Sequence, residues 1–401
     1  MAVLVIGTLD TKGDELAFLR ERLLESGVGV LLADAGTQGA PHGAEPDITR
    51  EQVAAEAGAD LASLTDRGAA VSAMAAGAAA LAARLHAEGR LDGVLGAGGS
   101  GNTAIATAAM RAVPVGVPKL MVSTMAAGDT RDYVGGSDVT LMASVTDVAG
   151  LNSISARILA NAAGAMAGMV GAPPVEQGER RALLAATMFG VTTPCVDHAR
   201  ELLETRGYEV LVFHATGTGG RAMEALVEAG FLRGVLDATT TELCDDLVGG
   251  VLSAGPERLE AAGRAGLPQV VSLGALDMVN FGARDTVPPQ FEDRNLYVHN
   301  PSVTLMRTTA EECAELGRRI ARKLSRATGP TALFIPLGGV SLIDAEGQPF
   351  HDPEADAALF AALREGLDDR VELIELDCNI NDEAFAAAMA EKLDEYVRGA
   401  A

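Results

Sequence analysis

The run Gly98-Gly99-Ser100-Gly101-Asn102-Thr103 constrains this chain more than any other stretch. It follows an apolar segment, residues 91–95, and precedes a helix-like one, residues 104–110. That order reads as strand, glycine turn, helix. Glycines let the backbone turn tightly and come close to a ligand. The free N–H groups that open the next helix then face whatever anion sits there, most often a phosphate.

The same grammar recurs along the chain. Residues 2–6 are an apolar run of strand length, followed by Gly7-Thr8-Leu9-Asp10-Thr11-Lys12-Gly13 and by Leu16, Leu19, Leu23 and Leu24 at helical spacing. Further strands are expected over 28–33, 91–95 and 119–123, with a short apolar patch at 139–142. Helices are expected over 48–58, 67–86 and 152–170. Residues 172–179 (APPVEQGE) read as a linker. Beyond them the pattern restarts: strand 181–188, helix 195–206, strand 208–213, then His214-Ala215-Thr216-Gly217-Thr218-Gly219-Gly220 and a helix over 221–229. Strands at 234–238, 269–273, 331–335 and 370–376 and a helix at 383–397 complete it. The fold expected is α/β: two Rossmann-like, doubly wound domains with mainly parallel sheets, over residues 1–172 and 180–401. Ligands in such sheets bind beyond the carboxyl ends of the strands, and a cleft between the domains is the default place for a substrate.

Composition supports this and narrows the partners. Of 401 residues 48% are apolar but only 3% aromatic, so the core must be Ala, Val, Leu, Ile and Met, as in helices packed on a buried parallel sheet. The formal charge of −24 repels nucleic acid and anionic membrane. Arg318-Arg319 with Arg322-Lys323 read as the solvated face of a helix. The apolar stretch 158–175 reads as an interdomain or interface helix rather than a membrane span. Four scattered cysteines without CxxC spacing read as buried free thiols, and the N-terminus runs straight into a strand, so a cytoplasmic location is expected.

The loop at residues 7–13 carries hydroxyls on Thr8 and Thr11 and a point charge on Lys12, but it is not a Walker A loop, because Lys12 precedes Gly13. An ordinary βα turn with a solvated lysine is the alternative. The loop at 98–103 is not GxGxxG; a tightly packing turn is its alternative. His214, at a strand end, is a candidate acid/base or ligand contact, and also a candidate structural histidine. Asp277, His299, Arg307 and Asp344 are further candidates for catalysis, far apart in sequence. No HExxH, GxSxG or Cys/His pattern appears, so a hydrolytic triad and a zinc site are not expected, and no metal ligands are assigned.

Five segments in order carry a resemblance: GTLDTKGDE (7–15), LGAGGSGNT (95–103), FHATGTGGRAME (213–224), VHNPSVTLMRT (298–308) and PLGGVSLIDAEGQPFHDPEAD (336–356). They resemble the ATP-binding family of the tomato mosaic virus resistance protein, whose bacterial members are filed as uncharacterised. The resemblance spans essentially the whole chain. It implies two Rossmann-like domains, ATP binding and self-association. In plants this module precedes a TIM barrel similar to phosphoenolpyruvate-mutase-type enzymes, and many bacteria encode that barrel separately. The chain is similar to the stand-alone form, with a TIM-barrel protein as an expected partner; viral inhibition is not carried over. Matched residue by residue, the resemblance implies ATP contact at Gly7, Thr8, Asp10, Lys12, Gly98, Gly99, Ser100, Gly101 and Thr103. Asn102 stands where a glycine is often expected.

Three readings follow. The first is a cytosolic nucleotide-binding homo-oligomer with ATP phosphates on the two N-terminal loops, Lys12 near the outer phosphates, and an optional magnesium ion assisted by Asp10 or Asp129. The second is an enzyme, a kinase, ligase or lyase of a small phosphorylated or carboxylic acid, using the interdomain cleft; it requires His214, His299 and Asp277 to converge near the phosphate loops. The third is a structural subunit whose glycine loops are only scaffold.

Overall fold

The computed structural model describes residues 2–64, 66–173 and 181–400, in two compact units divided near residue 176. The expected linker beyond Pro173 lies outside the described residues. In the first unit the elements run β1 (Ala2–Gly7), α1 (Leu9–Glu25), β2 (Val30–Asp34), α2 (Arg50–Glu56), α3 (Arg67–Ala87), β3 (Leu91–Gly98), α4 (Ser100–Arg111), β4 (Lys119–Ser123), α5 (Arg131–Val134), β5 (Thr140–Ala143) and α6 (Ser153–Gly171). All five strands pair in parallel in the order β2-β1-β3-β4-β5. Side chains alternate across a strand. Leu4 and Ile6 therefore pack with α3 and α4 residues such as Met74 and Ile105, while Val3 and Val5 pack with Leu16, Leu19 and Met166 of α1 and α6.

The second unit runs β6 (Leu183–Met188), α7 (Thr193–Thr205), β7 (Glu209–His214), α8 (Thr218–Glu228), β8 (Gly234–Thr239), α9 (Glu242–Val248), α10 (Ala261–Arg264), β9 (Gln269–Gly274), β10 (Met278–Phe281), β11 (Leu296–Asn300), β12 (Val303–Arg307), α11 (Ala310–Leu324), β13 (Thr331–Pro336), α12 (Pro353–Gly366), β14 (Glu372–Leu376) and α13 (Glu383–Gly399). Six of its strands form a parallel sheet ordered β14-β13-β9-β8-β6-β7. Val271 and Leu333 face α11 and α12; Val270 and Phe334 face α7 and α13. Both units are doubly wound α/β layers, as the strand–helix alternation predicts.

One part was not read from the sequence. Strands β10, β12 and β11 form a separate antiparallel sheet where only polar strand ends were expected. Its strands have 4 or 5 residues, too few for a clear alternation against the polar residues that flank them.

Candidate functional site

In a doubly wound sheet, the crevice opens where the strand order reverses. In the first unit this lies between β1 and β3, which are register partners at Val5 and Leu95. The two loops singled out in the sequence leave these strands side by side. With Thr37 and Gln38 after β2, and Arg67 and Val71 of α3, they enclose a pocket of about 300 Å3.

Two glycines of these loops make room for a neighbour. A β-carbon on Gly7 would lie 2.6 Å from Asn102 Nδ2, and one on Gly98 would lie 2.8 Å from Asn102 Cβ. Asn102 fills that space and donates Nδ2 to the Ala97 carbonyl, while its buried Oδ1 has no partner. The asparagine where a glycine was expected is thus seated by Gly7 and Gly98. Thr103 is likewise turned inward: its hydroxyl meets the Gly99 carbonyl at 2.8 Å and Ser123 Oγ at 2.7 Å.

Gly99, Ser100 and Gly101 form the pocket edge. A β-carbon on Gly99 would meet only Thr124 Oγ1, at 3.8 Å, and one on Gly101 would meet nothing within 4 Å. Gly99 caps α4 without a side-chain hydrogen bond, and the first intrahelical bond is Thr103 N–H to the Gly99 carbonyl. The N–H groups of Ser100, Gly101 and Asn102 precede that bond and have no helical acceptor. Thr8 caps α1, also without a side-chain bond, and its hydroxyl lies 2.8 Å from that of Thr11.

Carboxylates brace the rim. Asp34 Oδ1 accepts from Leu9 N–H at 3.0 Å and Gly36 N–H at 2.8 Å; burial raises its pKa. Asp10 Oδ2 accepts from the N–H groups of Thr37, Gln38 and Gly39 at 3.1, 2.9 and 3.2 Å. Asp129 pairs instead with Arg131 on the surface and does not line the pocket. Lys12 lines the pocket, but its ammonium donates to the Val148 carbonyl. It sits at a break in α1, with φ −129° and ψ 22°.

Arg67 was not singled out in the sequence. It opens α3, whose next basic residue is Arg84. Its neighbour Asp66 caps the same helix, Oδ1 accepting from Ala69 N–H at 2.8 Å, so no sequence signal separates Arg67 from an ordinary first-turn arginine.

In the second unit the third glycine loop is filled from within. Glu242 Oε1 accepts from Gly217 N–H at 2.6 Å and Gly220 N–H at 3.1 Å, so a buried carboxylate holds the start of α8. β-carbons on Gly219 and Gly220 would collide with the His214 carbonyl and with Glu242. Glu242 Oε2 takes Arg258 Nε at 2.6 Å, and the Arg258 fork grips Asp237 at 2.5 and 2.7 Å. Glu224 stands 3.4 Å from the same guanidinium and accepts from Leu259 and Ala261 N–H. His214 is exposed, edge-on to Phe189 with ring centroids 5.4 Å apart.

Three of the five catalytic candidates meet. Arg307 Nη2 lies 3.3 Å from Asp344 and 2.7 Å from Asp356, and its Nε donates to the Phe350 carbonyl at 2.7 Å. Asp277 accepts from Ser341 Oγ at 2.8 Å through Oδ2, and its Oδ1 has no partner. Burial raises the pKa of Asp277, of Asp344 and of Asp356 against the pull of Arg307, and for Asp344 the other two carboxylates add to the rise. Asp277 and Asp344 are 0% exposed and Arg307 only 4%, so the cluster is shut off from solvent. His214 and His299 are exposed and take no part in it. No trio of His, Cys, Asp or Glu able to hold a metal occurs among the described residues.

Residues 1–174 match the N-terminal domain, and residues 181–397 the C-terminal domain, of the Uncharacterised protein family (UPF0261). A "UPF0261 protein" of Clostridium tetani is 54% identical over 98% of this chain and 98% of its own length. The "ToMV resistance protein Tm-1(GCR237)" of Solanum lycopersicum is 40% identical over 97% of this chain, which spans 55% of that protein. Among solved structures, a UDP-N-acetylglucosamine 2-epimerase from Rickettsia bellii overlaps 67% of this chain and 78% of its own at 12% identity and a TM-score of 0.24, too slight to bear on function. By domain content, identity and coverage, the chain belongs to the UPF0261 family.

Proposed function

We propose that the first unit binds a nucleotide through its phosphates at the crevice between β1 and β3, with ATP as the ligand that the family resemblance names. The observation that carries this reading is the meeting of loops 7–12 and 98–103 around an uncapped helix start, with Arg67 at the rim. The donor set fits an anion: the first-turn N–H groups of α4, the hydroxyls of Thr8, Thr11 and Ser100, and a guanidinium. Asp10 is the one carboxylate in the lining, and three backbone N–H groups hold its Oδ2. Its Oδ1 makes no hydrogen bond among the described residues and is the oxygen that would meet a magnesium ion. Self-association, a TIM-barrel partner and a cytoplasmic location rest on the resemblance and composition and are proposed with it.

The test is thermal unfolding with and without magnesium and ATP. A ligand at 100 times its Kd stabilises by about 2.7 kcal/mol, which moves the midpoint of a unit this size by several degrees. Arg67→Ala and Gly99→Val should each remove most of that rise. Absence of any shift with ATP, ADP or GTP would defeat the reading.

A further inference from the structure

Lys12 faces two ways. Its side chain lines the pocket, yet its ammonium is bound to the Val148 carbonyl, on the segment that follows β5. A second tie from the same helix lies one turn on, where Glu15 Oε1 accepts from Gly150 N–H at 2.6 Å. Between β5 and these ties the backbone is strained. Val145 has φ 64°, and the Thr146 N–H reaches back two residues to the Ser144 carbonyl at 2.6 Å. That is a three-residue turn of the unfavourable hand, centred on a β-branched residue that is 81% exposed. Such a conformation persists only where its surroundings hold it, and nothing buries Val145. The turn is held by Ser144, whose Oγ donates to the Thr146 carbonyl at 2.6 Å and whose N–H reaches the Ser123 carbonyl at 3.2 Å, and by buried Val148; the two ties from α1 add to these on the far end.

We propose that Lys12 is a ligand-released tether: a phosphate in the pocket takes its ammonium from the Val148 carbonyl, and segment 144–151 relaxes. This rests on the phosphate-binding reading of the pocket. An ammonium–phosphate contact is charge-assisted and stronger than a bond to a neutral carbonyl. Lys12 Nζ has three N–H donors and spends one on Val148, so release is expected when the phosphate draws Nζ out of reach of that carbonyl. The phosphate contact is then stronger in the released state, the differential contact a ligand needs to shift an equilibrium. Glu15 keeps its hold on Gly150, so the change is confined to the strained turn and Val148. Occupancy of the pocket is thereby reported at a segment outside the pocket lining.

The experiment is amide hydrogen exchange across 144–151 in the full chain, with and without sodium tripolyphosphate or magnesium ATP, with calorimetric binding measured on the same samples. The expected result is binding heat together with about tenfold faster exchange of the amides of 145–148, the loss of one hydrogen bond to a charged group, while the Gly150 amide, still held by Glu15, stays slow. Lys12→Met should exchange fast without ligand and respond no further. Binding heat with unchanged or slower exchange at 144–151 would overturn the tether and leave the pocket reading standing. No heat from either compound would overturn the pocket reading, and the tether with it. If Lys12→Met fails to fold, the parent protein with and without tripolyphosphate decides alone.

Discussion

Gly7 and Asn102 compete for one space. A β-carbon on Gly7 would stand 2.6 Å from the Asn102 amide nitrogen and 2.8 Å from Leu16 Cδ1. Gly7→Ala must therefore push a buried amide or a buried leucine aside. The expected cost is about 1–3 kcal/mol, as for overpacking elsewhere, read as a drop in the urea midpoint. Asn102→Gly in the same chain should recover part of it, because only the Leu16 contact then remains.

Gly99 behaves in the opposite way. Its φ is −83°, and a β-carbon there would make only an ordinary contact, with Thr124 Oγ1 at 3.8 Å. Gly99→Ala should cost the free protein no more than about 1 kcal/mol, the loss of a glycine N-cap, while weakening ATP binding by more than that. Equal losses of stability and binding would show that Gly99 is there for the fold and not for a ligand. Chemical denaturation beside titration calorimetry separates the two.

The Arg258 cluster makes a stronger demand. Arg258 and Glu242 are fully buried, and Asp237 nearly so. Arg258→Met would leave Asp237 and Glu242 without a counter-charge, and breaking a buried pair by removing one partner costs about 3–5 kcal/mol. Glu242→Gln keeps an oxygen for the Gly217 and Gly220 N–H groups and should cost clearly less than Glu242→Ala, in the same denaturation assay.

The acid cluster around Arg307 gives a pH dependence of known sign. Asp344 has a folded pKa raised above 3.8 by burial and by Asp277 and Asp356. A raised carboxyl binds more protons in the folded state than in the unfolded one, so its contribution to stability is fully present at low pH and is lost as pH rises from about 4 through the folded value. Asp344→Asn mimics the protonated form and should flatten that decline. The difference in unfolding free energy, variant minus parent, should grow with pH. A difference that shrinks as pH rises would reverse the assignment.

The alternation of apolar runs and helical spacing made both sheets legible, because a buried parallel strand and an amphipathic helix write different periods into the chain. The pocket was legible for a related reason: residues 7–12 and 98–103 each follow a strand and open a helix, and a doubly wound sheet puts such loops together. The division of labour inside those loops was not. Gly98 and Gly99 look alike in sequence, yet one makes room for Asn102 and the other for the pocket. The loop at 214–220 misleads for the same reason, since a glycine cluster advertises free N–H groups without showing that Glu242, more than 20 residues later, already occupies them. Asp277, Arg307 and Asp344 could be named as candidates, but their meeting depends on an antiparallel hairpin whose strands are too short to announce themselves.

Glu242 can be regarded as an anion that the chain carries with it. Being covalently attached, it cannot dissociate or be diluted or outcompeted at physiological salt, and the Gly217 and Gly220 N–H groups always have their acceptor. The helix start at Gly99 has no such resident among the described residues. Two units wound on the same plan thus differ at their glycine loops: one carries its own anion, and the other, on the nucleotide reading proposed above, would take one from solution. Calorimetry should show that difference as two melting events, of which only one moves when nucleotide is added.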